Sequence, residues 1–308
     1  MQEAQPSVYA LKKNQATDIP EAELLWTVAE ALDLLDNANS PEKVEDRNPD
    51  VFNRFISNVR QPALYAFPAV EGNNCGRAVV ICPGGGYVGV AIDHEGFELA
   101  RKFNALGYSA FVLKYRDPAP DGKMGTFPFG PLDDALRAMR LVRSRASRYG
   151  IDPTRIGIMG FSSGGHVAAT ASTLYATRHD PNPQLDSVSA RPDFSLLIYP
   201  VIALDTPWCH GGSRERLLNV PEDSPKAHDM TPYYHIDAQT PPVFLISTSD
   251  DAVDCRNSIN YFLACREAGV KAEIHIYAEG GHGYGMRRRS IPVDTWSNRM
   301  NDWLTKLF

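Results

Sequence analysis

The stretch Arg155-Ile-Gly-Ile-Met-Gly-Phe-Ser-Ser-Gly-Gly-His166 contains Gly160-Phe161-Ser162-Ser163-Gly164, a G-x-S-x-G arrangement. It sits between a short apolar run and an alanine-rich helical pattern from Val167 to Ala176. A strand that turns into a helix within about two residues holds the central serine in a strained conformation. Small neighbours avoid collision with the strand and the helix. The helix N-terminus then lies beside Ser162, where free N–H groups and the positive end of the dipole favour negative charge. Taken alone, the stretch could also be a Gly/Ser-rich turn with no chemistry.

A serine hydroxyl becomes a useful nucleophile only when a base takes its proton and an acid orients that base. Two later strand ends offer such groups: Ser247-Thr-Ser-Asp250-Asp251-Ala-Val253 and Glu279-Gly-Gly-His282-Gly-Tyr-Gly285. Serine, acid, histidine is the chain order that a strand–turn–helix nucleophile uses. Acid and histidine are about 30 residues apart, one β-α-β step, so both should emerge on one edge of a sheet. Ser162, Asp251 and His282 are thus the expected nucleophile, acid and base. Asp251 is preferred over Asp250 because it lies farther round the turn; Asp250 would cap the following turn and Asp254 the helix after it.

Acyl transfer also needs N–H donors for the developing oxyanion. Pro83-Gly84-Gly85-Gly86-Tyr87 follows a buried-strand run, and Gly85 and Gly86 with the N–H of Ser163 are the expected donors. Gly84 to Gly89 also fits G-x-G-x-x-G. The helical pattern begins only near Phe97, however, so no helix N-terminus meets a pyrophosphate, and no G-x-x-x-x-G-K-[ST] is present. Neither cofactor nor metal is expected.

The elements that must position these groups alternate in type. Apolar runs at 78–82, 109–115, 156–161, 194–200, 242–247 and 272–278 read as strands. Patterns at 97–106, 132–149, 258–268 and 293–308 read as helices, which together argue for a mainly parallel sheet covered on both faces. Phe55–Val59 and Ala63–Phe67 read as neighbouring strands. Residues 201 to 240 form a long proline- and glycine-rich excursion with little periodicity, of the kind that supplies lids and binding loops. Residues 1–50 are expected to be a helical extension packed on a main domain of residues 51–308, with an amphipathic helix from Pro20 to Leu35 and a polar connector after it.

Composition excludes other classes. The net charge is −6 over 308 residues, with 43% hydrophobic and 22% charged. The one dense basic run, Arg287-Arg288-Arg289, is too short to serve as a nucleic-acid footprint. No run approaches the roughly 20 apolar residues of a membrane span. The start Met1-Gln-Glu-Ala-Gln reads as an initiator methionine joined to a mature N-terminus, as in an exported enzyme, secreted or periplasmic. Five cysteines without a C-x-x-C pair argue against a disulfide framework or zinc site.

With these residues in view, the chain resembles the α/β-hydrolase superfamily, and within it the carbohydrate esterases that include bacterial acetylxylan-esterase-like proteins. The resemblance runs from about Phe55 to the C-terminus. It rests on Ile81-Cys-Pro-Gly-Gly-Gly-Tyr87, Asp93-His-Glu-Gly96, Phe111-Val-Leu-Lys-Tyr-Arg116, Gly160-Phe-Ser-Ser-Gly-Gly-His166, Gly211-Gly-Ser-Arg214 and Gly280-Gly-His-Gly-Tyr-Gly285, with Asp250-Asp251. It implies an α/β-hydrolase fold and the triad Ser162, Asp251, His282. It also implies a serine esterase that deacetylates xylan or xylo-oligosaccharides, an acetylated saccharide partner, and no nucleic acid or membrane. Val253-Asp254-Cys255 departs from the Val-Pro common after the acid. Asp93, His94 and Glu95 are candidates for sugar contacts, or for tying the glycine loop to the sheet by buried hydrogen bonds or a pair with Arg116. Tyr87, Trp208, His210, Tyr284 and Trp296 are candidate pocket residues. A prolyl-oligopeptidase-like peptidase shares the serine motif and triad order, although no propeller-like region or amine-binding acidic pair accompanies it. A catalytically idle binding protein is the remaining alternative.

Overall fold

A computed structural model describes residues 5–14, 19–27, 41–118 and 130–308. Eleven strands occur in the described part: β1 (Ala22–Leu24), β2 (Lys43–Asp46), β3 (Arg54–Ser57), β4 (Ala63–Phe67), β5 (Ala78–Cys82), β6 (Gly89–Val90), β7 (Ser109–Lys114), β8 (Ile156–Phe161), β9 (Ser195–Ile198), β10 (Val243–Thr248) and β11 (Ala272–Tyr277). Eight of them form one sheet in the order β1-β4-β7-β5-β8-β9-β10-β11, and β2-β3-β6 form a small second sheet. The large sheet is parallel from β7 to β11 and antiparallel at β4 and β1. This is the α/β-hydrolase architecture.

The apolar runs explain the sheet's interior. Every residue of β5, β7, β8, β9 and β10 is buried, as parallel strands covered on both faces require. β11 is only half buried, with Ile276 exposed, in keeping with its place at the edge. Helices pack around the sheet: Glu98–Ala105 on β7, Ser162–Thr173 on β8 and β9, Arg256–Glu267 and Trp296–Leu307 on β10. In register, Cys82 is level with Gly160 and Phe161 with Ile198, so β5, β8 and β9 end together and their following loops meet.

Three expectations about the elements are corrected. The helix expected from Pro20 is absent at its start, because Ala22–Leu24 pairs antiparallel with β4. The rest of that expected helix, residues 28–35, lies outside the described residues. Residues 54–57 and 63–67 are not paired neighbours: β3 joins β2 and β6, while β4 joins β1 and β7. Asn58 turns the chain between them with a left-handed φ of 55°, and the Asp117 carboxylate accepts the Val59 N–H at 3.0 Å. The excursion 201–240 is not structureless. It contains the helices Gly211–Leu218 and Pro225–Asp229 and a 3₁₀ turn at Pro232–His235, each too short to print a helical period.

Candidate active site

The strand-to-helix turn explains its glycines. Ser162 has a left-handed φ of 52° and is the first residue of the helix Ser162–Thr173. A Cβ on Gly160 would lie 2.0 Å from the Gly164 oxygen, and one on Gly164 would lie 2.2 Å from the Cys82 oxygen. The turn closes only when both positions lack side chains, which puts the Ser162 hydroxyl above the ends of β5 and β8.

His282 Nε2 lies 2.8 Å from Ser162 Oγ, and His282 Nδ1 lies 2.8 Å from Asp251 Oδ2. The other Asp251 oxygen accepts the Val253 N–H at 2.7 Å, so the buried carboxylate is held from its own loop. Burial lowers the basicity of His282, but the hydrogen bond and charge of Asp251, with a contribution from Glu95, outweigh it and raise the imidazole above its ordinary value. Asp250 does not cap the following turn as expected. Its oxygens accept the Gly280 and Gly281 N–H groups at 3.1 and 2.8 Å, pinning the loop that carries His282.

The glycine loop departs from expectation at one donor. The Gly86 N–H donates to Ser163 Oγ at 2.8 Å and is already engaged. The N–H groups of Gly85 and Ser163 have no acceptor among the described residues, which leaves them free for an oxyanion. Gly85 is irreplaceable on steric grounds: at φ 155°, a Cβ there would sit 1.9 Å from the Gly89 oxygen.

Several candidate substrate contacts are corrected. Tyr87 is buried, and its hydroxyl donates to His166 Nδ1 at 2.6 Å. The Met230 carbonyl, 2.7 Å from Nε2, fixes the proton there, and burial pushes the His166 pKa down to about 4, so this histidine is a neutral strut. Asp93 is buried and pairs with Arg54 rather than Arg116, at 2.9 Å to Nε and 2.7 Å to Nη2. Arg116 instead pairs with Asp134. His94 is half-buried, and desolvation of its ring lowers its pKa to about 3. Tyr284 packs against Tyr199 at 4.5 Å between ring centroids, and Trp296 donates to the Gly285 carbonyl at 2.9 Å; both are core. A cavity of about 210 Å³ lies behind them, and neither Ser162 nor His282 lines it.

Two candidates remain half-exposed on the excursion. His210 Nδ1 accepts the Ser213 N–H at 3.2 Å, so its Nε2 carries the proton. Burial and then the charge of His282 lower its pKa, which places it within electrostatic reach of His282 and Asp251. Trp208, two residues earlier, lies under the Arg256 guanidinium at 4.9 Å.

Tyr199, at the end of β9, was not singled out from sequence. Its φ is 36°, its hydroxyl donates to buried Glu95 at 2.8 Å, and its ring stands edge-on to His282 at 5.0 Å. The Tyr-Pro that ends the β9 run, on the same sheet edge as Ser162, is the only sequence signal for it.

Residues 65–263 match the BD-FAE family. The chain belongs to the BD-FAE family. It is 32% identical over 242 residues to an acetylxylan esterase of Xylanibacter ruminicola, covering 76% of this chain and 46% of that protein. It is 35% identical over 256 residues to endo-1,4-beta-xylanase B of Butyrivibrio fibrisolvens, covering 76% of this chain and 38% of that protein. The BD-FAE chain thus spans under half the length of these curated relatives. An acetyl ester-xyloside bifunctional hydrolase from Caldicellulosiruptor lactoaceticus has a similar structure, with a TM-score of 0.78 and 32% identity over 94% of this chain and 98% of that one. A Thermogutta terrifontis esterase with propionate bound shares the fold, with a TM-score of 0.69 and 22% identity over 96% of this chain and 97% of that one.

Proposed function

We propose that this BD-FAE protein is a serine carbohydrate esterase that removes acetyl groups from xylan or xylo-oligosaccharides through an acyl-enzyme. The observation that carries this reading is the continuous hydrogen-bond series Asp251–His282–Ser162, which ends beside two unengaged amides. Ser162 Oγ attacks the acetyl carbonyl while His282 Nε2 takes its proton. Asp251 keeps Nδ1 protonated and stabilises the imidazolium. The tetrahedral oxyanion sits between the Gly85 and Ser163 N–H groups. Each such donor contributes a few kcal/mol of transition-state stabilisation. His282 then protonates the departing sugar oxygen, and water releases acetate by the same steps in reverse order.

The substrate class is supported by two relatives that cover most of this chain: the acetylxylan esterase and the acetyl ester-xyloside hydrolase. Trp208 and His210 are the substrate-facing candidates, because both stay partly accessible and His210 lies within electrostatic reach of His282 and Asp251. Residues 51–308 form the catalytic domain in this reading, with the preceding segment packed on it through β1 and the buried Leu25. A polymeric substrate fits an exported enzyme, secreted or periplasmic, and no helix among the described residues is long and apolar enough to cross a membrane.

Acetate released from acetylated xylan, measured beside cleavage of aminoacyl-proline peptides, tests the reading. Acetate release without peptide cleavage is expected. Peptide cleavage without acetate release would replace the esterase with a peptidase.

A further inference from the structure

We propose that Glu95 is a positioning residue whose carboxylate couples the glycine loop of the oxyanion donors to the loop that carries His282. The inference rests on the esterase reading of the site. Glu95 lies in a π-helical turn, Asp93–Phe97, a few residues beyond the glycine loop, and is 3% exposed. Such turns are rare and recur at functional sites.

Each carboxylate oxygen reaches one side of the site. Oε2 accepts the Gly84 N–H at 2.7 Å, next to the donor Gly85. Oε1 accepts the Tyr199 hydroxyl at 2.8 Å, and the Tyr199 oxygen accepts the Gly285 N–H at 3.0 Å, three residues beyond His282. The proton directions follow from this series. An amide can only donate, so Gly285 donates to Tyr199, and Tyr199 in turn donates to Glu95. Both Glu95 oxygens accept, the arrangement a carboxylate ion suits, and these hydrogen bonds work against the burial that raises its pKa. Space is as tight as the bonding: a Cβ on Gly84 would lie 2.7 Å from Oε2 and 2.8 Å from the Ser162 Cβ.

The charge of the Glu95 carboxylate adds to that of Asp251 in raising the His282 pKa. Among the described residues, Asp251 from the β10 loop and the Tyr199 ring from the end of β9 contact the imidazole, and Glu95 from the π turn and His210 from the excursion act on it by charge. Glu95 itself faces His94 at 3.8 Å, Tyr199, Tyr115, Arg287 and His282. A purely structural anchor would hold the same hydrogen bonds but would leave the titration of His282 alone.

The test compares Glu95→Gln and Tyr199→Phe with wild type on 4-nitrophenyl acetate across pH, with thermal melts in parallel. The rate at which a fluorophosphonate labels Ser162 is followed as well, because it reads the same acidic limb without any ester. Glu95→Gln should hold KM and lower kcat roughly 10- to 100-fold, since a misplacement of about 1 Å costs on the order of 100-fold. It should also move the acidic limb of turnover and labelling to lower pH. Tyr199→Phe keeps the charge and loses the link to Gly285, so kcat should fall with the limb in place. An unmoved limb in Glu95→Gln, or a kcat loss that only tracks a lower melting temperature, overturns the proposal. If Glu95→Gln does not fold, an unchanged kcat in Tyr199→Phe overturns it and a lowered kcat upholds it. Wild type that labels but hydrolyses no ester would remove the esterase reading and leave the labelling limb to decide Glu95. Wild type that does neither overturns both.

Discussion

Replacing the triad acid by its amide tests the site's central geometry, because the surroundings of Asp251 dictate how an asparagine must sit. One Asp251 oxygen accepts the Val253 N–H at 2.7 Å and the other faces His282 Nδ1 at 2.8 Å. In Asp251→Asn the single amide oxygen has to remain with Val253, since a main-chain N–H can only donate. The NH₂ group then points at Nδ1 and forces it to accept. The imidazole proton moves to Nε2, where it faces Ser162 Oγ at 2.8 Å and can no longer take the hydroxyl proton. A wrong tautomer of this kind costs on the order of 10 000-fold in kcat at a triad acid.

Asp250→Asn is the control. It removes one acceptor from a pair of N–H groups on an exposed loop, about 1 kcal/mol after allowing for solvent, so its loss should stay below about tenfold. The assay is kcat on saturating 4-nitrophenyl acetate for both variants, with circular dichroism to establish that both are folded. Equal losses, or a larger loss in Asp250→Asn, would refute the tautomer argument and the choice of acid.

Two further outcomes follow from the same geometry. In the proposed mechanism His282 must be neutral to act as base, and its pKa is raised above the ordinary 6.5, so kcat/KM should rise with pH along an acidic limb centred above that value; a midpoint below it would contradict the dominance of Asp251 over burial. Ser163→Ala removes the acceptor of the Gly86 N–H and loosens the glycine loop. From roughly 1 to 1.5 kcal/mol for one hydrogen bond, kcat should fall about tenfold with little change in melting temperature.

What is legible in the chain depends on how local its cause is. The interior strands are legible because each is a continuous apolar run, and the nucleophile turn because Gly160 and Gly164 answer a clash inside five residues. The edge strand Ala22–Leu24 is not: three residues carry no period, and Leu24, Leu25 and Val28 happen to fall at helical spacing. The partners of Glu95 and Asp93 escape for a different reason. Tyr199 is 104 residues from Glu95 and Arg54 is 39 from Asp93, and nothing in either local pattern names the other. Tyr87 reads as a pocket aromatic after the glycines, but its left-handed φ turns the ring inward onto His166.

That inward turn belongs to a pattern. Among the described residues, six that are not glycine have positive φ, and three of them, Tyr87, Ser162 and Tyr199, surround the site. Such conformations cost of order 1–3 kcal/mol each and persist only where the surroundings over-determine them. Here each is tied down by a buried hydrogen bond or by the helix it begins: Tyr87 to His166 and on to Met230, Tyr199 between Glu95 and Gly285, and Ser162 through its carbonyl to the Val201 N–H. The ties run to two segments: the excursion 201–240, through Met230 and Val201, and the His282 loop, through Gly285. The strain that presents the serine hydroxyl is therefore held by the same loops that carry His282, Trp208 and His210. Loosening any one of them should misplace the nucleophile before it unfolds the sheet, whose strands are buried independently of these contacts.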